Sequence, residues 1–158
     1  MLYVQNNSVK QTAVQHAVIA GAVTNPGADD LDWEINRLGQ KIDAGAQFFQ
    51  TQAVYDPATY EKFANAVAKY NLPFLPSIIL LKSGDMARFL NDKVPGITVP
   101  DAIIEKMDNA ATPEEKSAQS IEIAAKTIRE LKPMCQGVHL IAAGWESKLP
   151  QVIKLATS

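Results

Sequence analysis

The chain is poor in the residues on which many functions depend. A single cysteine, Cys135, excludes an intrachain disulfide and argues against a cysteine-based metal site. Excess charge is missing too: 15 Lys and Arg stand against 17 Asp and Glu, a formal charge of -2. That balance leaves no electrostatic footprint for nucleic acid or an anionic membrane. The longest apolar runs, such as Ala17–Val23 and Leu72–Leu81, are too short or too interrupted to span a bilayer. The opening Met1-Leu2-Tyr3-Val4-Gln5-Asn6-Asn7 lacks the basic-then-apolar plan of a signal peptide, so a reducing cytoplasm is the expected compartment. Also missing are a Gly-rich phosphate loop, a paired-His metal pattern and a nucleophile elbow. At 158 residues the chain suffices for one domain with a real core. It falls short of the roughly 250 residues of a closed eight-stranded α/β barrel.

What is present is a repeated alternation of apolar run and amphipathic helix. The first run, Ala17–Val23, stops at Asn25-Pro26-Gly27. Leu31, Ile35, Leu38 and Ile42 then form one stripe of a helix of about four turns. Asp29, Asp30 and Asp32 stand at its start and Gly45 at its end as a left-handed cap. The second run, Phe48–Tyr55, precedes Asp56-Pro57, an N-cap followed by a first-turn proline, and the stripe Tyr60, Phe63, Val67, Tyr70. The third, Phe74–Leu81, leads through Lys82-Ser83-Gly84 into a short helix near Asp85–Asn91, the turn Val94-Pro95-Gly96 and an amphipathic segment near Asp101–Met107. Thr112-Pro113-Glu114-Glu115 is a capping box that opens a helix with Ile121, Ala125, Ile128 and Leu131 on its apolar side. The fourth run, Val138–Ala143, is followed by Gly144-Trp145 and a last helix near Glu146–Leu155.

Strands alternating with helices predict parallel pairing through right-handed crossovers. A four-stranded open sheet and half of a (β/α)8 barrel both satisfy the pattern. Gln50 and Gln52 fall on one side of their strand, which is awkward under a helix layer and natural inside a barrel near its mouth. Residues 1–158 are therefore expected to be a single partial domain, a half barrel, with the open sheet as the alternative.

Folds of this kind place their sites at the carboxyl ends of the strands. Those ends offer Thr24 and Asn25, then Gln52, Tyr55 and Asp56, then Lys82 and Ser83, then Gly144, Trp145 and Glu146. Gln52 says most, because an amide presents a donor beside an acceptor and suits the edge of a pterin or pyrimidine-like ring. A glutamine that satisfies a neighbouring backbone group is an equally good reading. Asp56 reads as a helix cap, Lys82 as a solvated lysine or, if buried, a Schiff-base former. His139 reads as a core histidine with one hydrogen bond, and Trp145 as cover for the barrel rim or a stacking surface. His16 carries no signal, and nothing in its sequence neighbourhood would lower the pKa of Cys135.

Six motifs in order carry a family resemblance: Gly21-Ala22-Val23-Thr24-Asn25-Pro26, Lys41-Ile42-Asp43-Ala44-Gly45-Ala46, Thr51-Gln52-Ala53-Val54-Tyr55-Asp56, Leu80-Leu81-Lys82-Ser83, Val94–Pro100 and Gly137–Glu146. From about Gly21 onward the chain resembles methylenetetrahydrofolate reductase, and its later motifs resemble the branch found in anaerobic, acetogen-type bacteria. The resemblance implies the second half of a (β/α)8 barrel in a flavoprotein. Such an enzyme, carrying FAD or FMN and drawing on NAD(P)H or another reductant, reduces 5,10-methylenetetrahydrofolate to 5-methyltetrahydrofolate. It further implies that Gln52 contacts the pterin, that Lys41 contacts a cofactor phosphate and that Asn25 borders the flavin. The family's general acid, a glutamate of the first strand, and its flavin-tuning aspartate of the fourth strand have no counterpart, because the chain begins at about the fifth. No residue is therefore assigned as catalytic. Ile141, Ala143 and Trp145 replace the aromatic and arginine pattern of the family's last strand, and the first twenty residues match none of its motifs.

The expectation is thus an enzyme part, incomplete or inactive alone. It would take a folate substrate, and a second chain or a missing N-terminal half would complete its barrel; an oligomer is expected, with neither nucleic acid nor a membrane span. A non-catalytic folate-binding or assembly subunit is the alternative, and a lyase barrel using Lys82 a third reading.

Overall fold

In the computed structural model, which describes residues 19–158, four strands form one parallel sheet in the order β1-β2-β3-β4. The strands are β1 (Gly21–Thr24), β2 (Phe48–Ala53), β3 (Phe74–Ile79) and β4 (His139–Ile141). The helices are α1 (Leu31–Asp43), α2 (Pro57–Val67), α3 (Gly84–Lys93), α4 (Asp101–Asp108), α5 (Pro113–Leu131) and α6 (Leu149–Thr157). This is four consecutive βα units, an α/β fold consistent with half of a (β/α)8 barrel, the third unit being enlarged by α3 and α4.

Each helix begins where local chemistry dictates. Asp30 caps α1 by accepting from Trp33 N–H at 2.9 Å. Asp56 caps α2 ahead of Pro57, its carboxylate taking the Ala58 and Thr59 amides and the Thr59 hydroxyl. Ser83 caps α3. Thr112 and Glu115 close a reciprocal capping box on α5. Gly45, just past α1, takes φ +101, the left-handed conformation expected of it.

The helices cover one face of the sheet. Phe49, Phe74 and Ile78 from the strands meet Leu38 of α1, Tyr60, Phe63 and Val67 of α2, Ile121, Ala124 and Leu131 of α5 and Val152 of α6. Phe74 stacks on Phe49 at 5.3 Å and takes the edge of Phe63 at 5.6 Å. A second core joins Ala53, Tyr55 and Leu81 to Ala87, Leu90, Ile97, Val99, Ile104 and Met107. It is built by α3, α4 and the loop between them, with Ile123 of α5. Asn91 ties that loop down from both sides, donating to the Val99 carbonyl at 3.0 Å and accepting from its N–H at 2.6 Å.

Several boundaries differ from those the sequence predicts. The first strand starts at Gly21; Ala17 and Val18 of the predicted run lie outside the described residues, as does His16, and Ile19 is exposed. The second strand ends at Ala53, before Val54 and Tyr55. Tyr70 sits in a 3-10 turn, Ala68–Tyr70, beyond the end of α2. The fourth strand shrinks to three residues because Ala143 and Gly144 take φ +52 and +89, which no strand accommodates. Glu146–Lys148 is a 3-10 turn rather than the first turn of the last helix, which starts at Leu149.

One irregularity bears on the site. Gln50 pairs with Leu75 but Ala53 pairs with Ser77, so β2 carries one residue more than β3 across Pro76. Proline offers the ladder no N–H, and a bulge is how a sheet interior accepts it. Ser77 repairs the gap: its N–H donates to Thr51 Oγ1 at 3.2 Å and its hydroxyl to the Thr51 carbonyl at 2.6 Å.

The capping box gives the first test. Thr112→Ala should cost about 1 kcal/mol in urea denaturation and leave ligand binding unchanged. The backbone N–H groups of Thr112 and Ala111 hold the Glu115 carboxyl below its ordinary value. A depressed folded-state pKa means that the contribution of Glu115 is complete above the ordinary glutamate range and fades as pH falls through the depressed value. A Thr112→Ala variant that binds ligand poorly while remaining stable would show that α5 reaches the site.

Candidate functional site

The carboxyl end of β1 is organised by a residue that sequence reasoning missed. Glu34, one turn into α1, is buried at 6% exposure. Its Oε1 accepts from the Thr24 hydroxyl at 2.8 Å and the Asn25 N–H at 2.9 Å, and the Lys41 ammonium lies 3.9 Å away. Lys41 in turn donates to the Val23 carbonyl at 2.7 Å. The signal was available: Glu34 interrupts the apolar side of α1 beside Ile35 and Leu38, and a carboxylate there must have partners to be buried.

Asn25, Lys41 and Gln52, the three residues singled out from the sequence, line one cleft of about 330 Å³ with Val23, Trp33 and Arg37. Lys41 reaches it from α1, Asn25 from the end of β1 and Gln52 from the bulged end of β2. Asn25 also works for its own loop, its Oδ1 accepting from Gly27 N–H at 3.1 Å. Gln52 Nε2 approaches the Pro95 carbonyl at 3.5 Å, at the limit of a hydrogen bond.

The loop between α3 and α4 packs against two of these residues, Asn25 and Gln52. Gly96, at φ +79, packs so closely on the Asn25 amide that a Cβ there would collide with it. A Cβ on Gly27 would strike the Gly96 carbonyl in the same way. Two glycines are therefore what let the Val94-Pro95-Gly96 turn lie against the ends of β1 and β2.

The other candidates are placed as follows. Asp56 is a cap, and the Thr59 hydroxyl bond above all holds its carboxyl below the usual range. Tyr55 donates its hydroxyl to the Ile79 carbonyl at 2.7 Å, and burial pushes its pKa up. His139 Nδ1 lies 3.0 Å from Ser77 Oγ. Burial pushes the Cys135 thiol up, away from reactivity. Lys82 is exposed, its ammonium 5.9 Å from the centre of the half-buried Trp145 ring. Glu146 is exposed in the turn before α6. Among the described residues no cluster of His, Cys, Asp and Glu is fit to hold a metal ion, and no helix is long and apolar enough to cross a membrane.

The donor set of the cleft can be compared with what a flavin nucleotide requires. Arg37, 5.0 Å from the Trp33 ring, and Lys41 bring two cations to one wall, a chemistry suited to phosphate. Gln52 supplies an amide for a ring edge, and Val23, at 68% exposure, an apolar surface. The residues present fit one side of such a group.

A partial parallel barrel with its polar cleft at the carboxyl ends of the strands defines the class. The sequence profile described as methylenetetrahydrofolate reductase matches residues 8–157. The chain belongs to the methylenetetrahydrofolate reductase family. The match begins upstream of Gly21, so part of the segment in which the sequence motifs are silent belongs to it as well. Methylenetetrahydrofolate reductase 2 of Schizosaccharomyces pombe is 26% identical over 134 residues, 77% of this chain and 20% of that protein. Methylenetetrahydrofolate reductase 1 of the same yeast is 28% identical over 106 residues, 63% of this chain and 18% of that protein. The chain spans about a fifth of the length of these curated relatives. A solved structure of an uncharacterized protein from Clostridium thermocellum, which binds two copies of 5-methyl-5,6,7,8-tetrahydrofolic acid, shares the fold. It superposes with a TM-score of 0.55 at 19% identity, over 88% of this chain and 52% of that one.

The role of Glu34 is testable apart from any ligand. Glu34→Ala leaves the Thr24 hydroxyl and the Asn25 N–H without their acceptor, removes the charge facing Lys41, and should lower stability by about 1–3 kcal/mol. Glu34→Gln keeps an acceptor oxygen and should lose less. Equal stability of both variants in chemical denaturation would mean that the network does not hold the end of β1.

Proposed function

We propose that this chain is the folate-contacting, second half of a methylenetetrahydrofolate reductase-like flavoprotein that reduces 5,10-methylenetetrahydrofolate to 5-methyltetrahydrofolate. The observation that carries the reading is convergence: Gln52, Asn25 and Lys41, from three different elements, line one cleft. Gln52 would read the pterin edge, with its Oε1 turned to a ring N–H. Lys41 and Arg37 would face the phosphate of the cofactor, and Asn25 would border its ring. A bound flavin, FAD or FMN, recharged by NAD(P)H or another reductant, supplies the hydride.

The remainder of the barrel is the proposed partner, in the same polypeptide or another. The support is the placing of the exposed apolar side chains. Ile19, Val23 and Trp33 lie at the β1–α1 end of the sheet and Ile153 and Leu155 on α6 at the other, while Phe89 on α3 is exposed at neither end. Four further βα units would cover both ends. A membrane or nucleic-acid role has no support in the charge balance.

Gln52→Ala should weaken folate binding by about 1–3 kcal/mol, the cost of an unmet polar partner. Calorimetry with 5-methyltetrahydrofolate measures it, and unchanged affinity would remove the pterin-reading role.

The isolated chain should reduce little or no folate even with added flavin and reduced nicotinamide. Opening the methylene bridge needs a positioned proton donor, a group that contributes about 10²–10⁴-fold. Glu34 is committed to Thr24 and Asn25, Asp56 caps α2, and Glu146 stands in solvent. Supplying a polypeptide with the other four βα units should restore turnover. Rapid reduction by the chain alone would refute the half-enzyme reading and direct mutagenesis to Glu146 and Glu34.

A further inference from the structure

The core beneath α2 holds a tyrosine whose polar end packing does not explain. Tyr60 is wholly buried, and its hydroxyl has no hydrogen-bond partner among the described residues. An unmet buried hydroxyl is costly, and phenylalanine would fill the same space without that cost. Burial, and after it the nearby Cys135 thiol, pushes the Tyr60 pKa up, so the group stays a protonated donor.

Tyr60 lines a cavity of about 310 Å³ at the amino end of the sheet, away from the rim that carries Gln52. Phe74, which opens β3, lines it too, as do Ala64 of α2 and Met134, which precedes β4. Asn71 and Gln136 are exposed members of the lining, and none of the lining residues is charged. Gln136 commits its Oε1 to the Phe74 N–H at 3.0 Å, which holds that side of the cavity in place. The space is about twice the ~150 Å³ that accepts benzene in an engineered apolar core. It stands at the lower end of the range of small-molecule pockets.

We propose that this cavity binds a small, neutral ring compound bearing a carbonyl, whose oxygen accepts from the Tyr60 hydroxyl. The uncharged lining disfavours an ion, which would lose its hydration without meeting a counter-charge. The Tyr60 and Phe74 rings and the small Ala64 side chain suit a flat apolar body. The protonated, unmet hydroxyl selects an acceptor over a second donor. The site is independent of the folate reading, and so is its test.

Benzamide is the probe, titrated into the full chain beside benzoate, benzylamine and toluene, with the Phe74 and Gln136 amide shifts followed by NMR. Benzamide should bind saturably, and its anionic, cationic and acceptor-free counterparts at least about tenfold more weakly. Tyr60→Phe should weaken benzamide about tenfold and melt no lower than the unsubstituted chain, because it removes a hydroxyl that has no partner. Ala64→Leu should fill the cavity and block the probe; the Tyr60→Phe result decides by itself should Ala64→Leu not fold. A lower melting temperature for Tyr60→Phe would show that a buried water already meets the hydroxyl, and overturns the site. Binding of toluene as tight as that of benzamide, shifts confined to the amides around Gln52, or no saturable binding overturns it as well.

Discussion

Parallel strands cannot be joined by hairpins, and that constraint organises the rest of this chain. Each return from the carboxyl end of one strand to the amino end of the next needs a helix, and right-handed crossovers put all of those helices on one face. The four strands accordingly bury Phe49, Phe74 and Ile78 under α1, α2, α5 and α6. They also deliver every strand end, and with them Asn25 and Gln52, to one rim, which Lys41 reaches from α1.

At that rim two packing devices hold the polar groups in place. Pro76 forces one extra residue into β2, and the bulge falls between Gln50 and Ala53, where Gln52 emerges. The Thr51–Ser77 bonds absorb the lost ladder contact, so the bulge is fixed rather than loose. Beside it, Glu34 gathers Thr24, Asn25 and Lys41 around one carboxylate. The orientation of Asn25 is thus set from below by Glu34 and from above by Gly96, and neither residue is near it in sequence.

That separation explains what could be read from the sequence. Periodicity and capping are local, so the alternation of strand and helix, the caps at Asp56 and Thr112 and the left-handed Gly45 were all legible. Gln52, Asn25 and Lys41 could be named as candidates one by one from strand position and resemblance. Their meeting in one cleft depends on register and on the loop after α3, which no local pattern reports. The short β4 was misjudged because Val138–Ala143 is apolar throughout, while the backbone leaves the strand region at Ala143. Glu34 was passed over because a glutamate in the first turns of a helix normally answers the helix dipole. Here it faces inward instead.

The β1 edge of the sheet is guarded by a side chain. An edge strand exposes a row of backbone donors and acceptors that another strand can claim. At β1 the Val23 carbonyl is already taken by Lys41, a long side chain that can leave without disturbing the core. Lys41 is held by one carbonyl and, at 3.9 Å, by Glu34, so a strand arriving at this edge would free its ammonium towards the cleft.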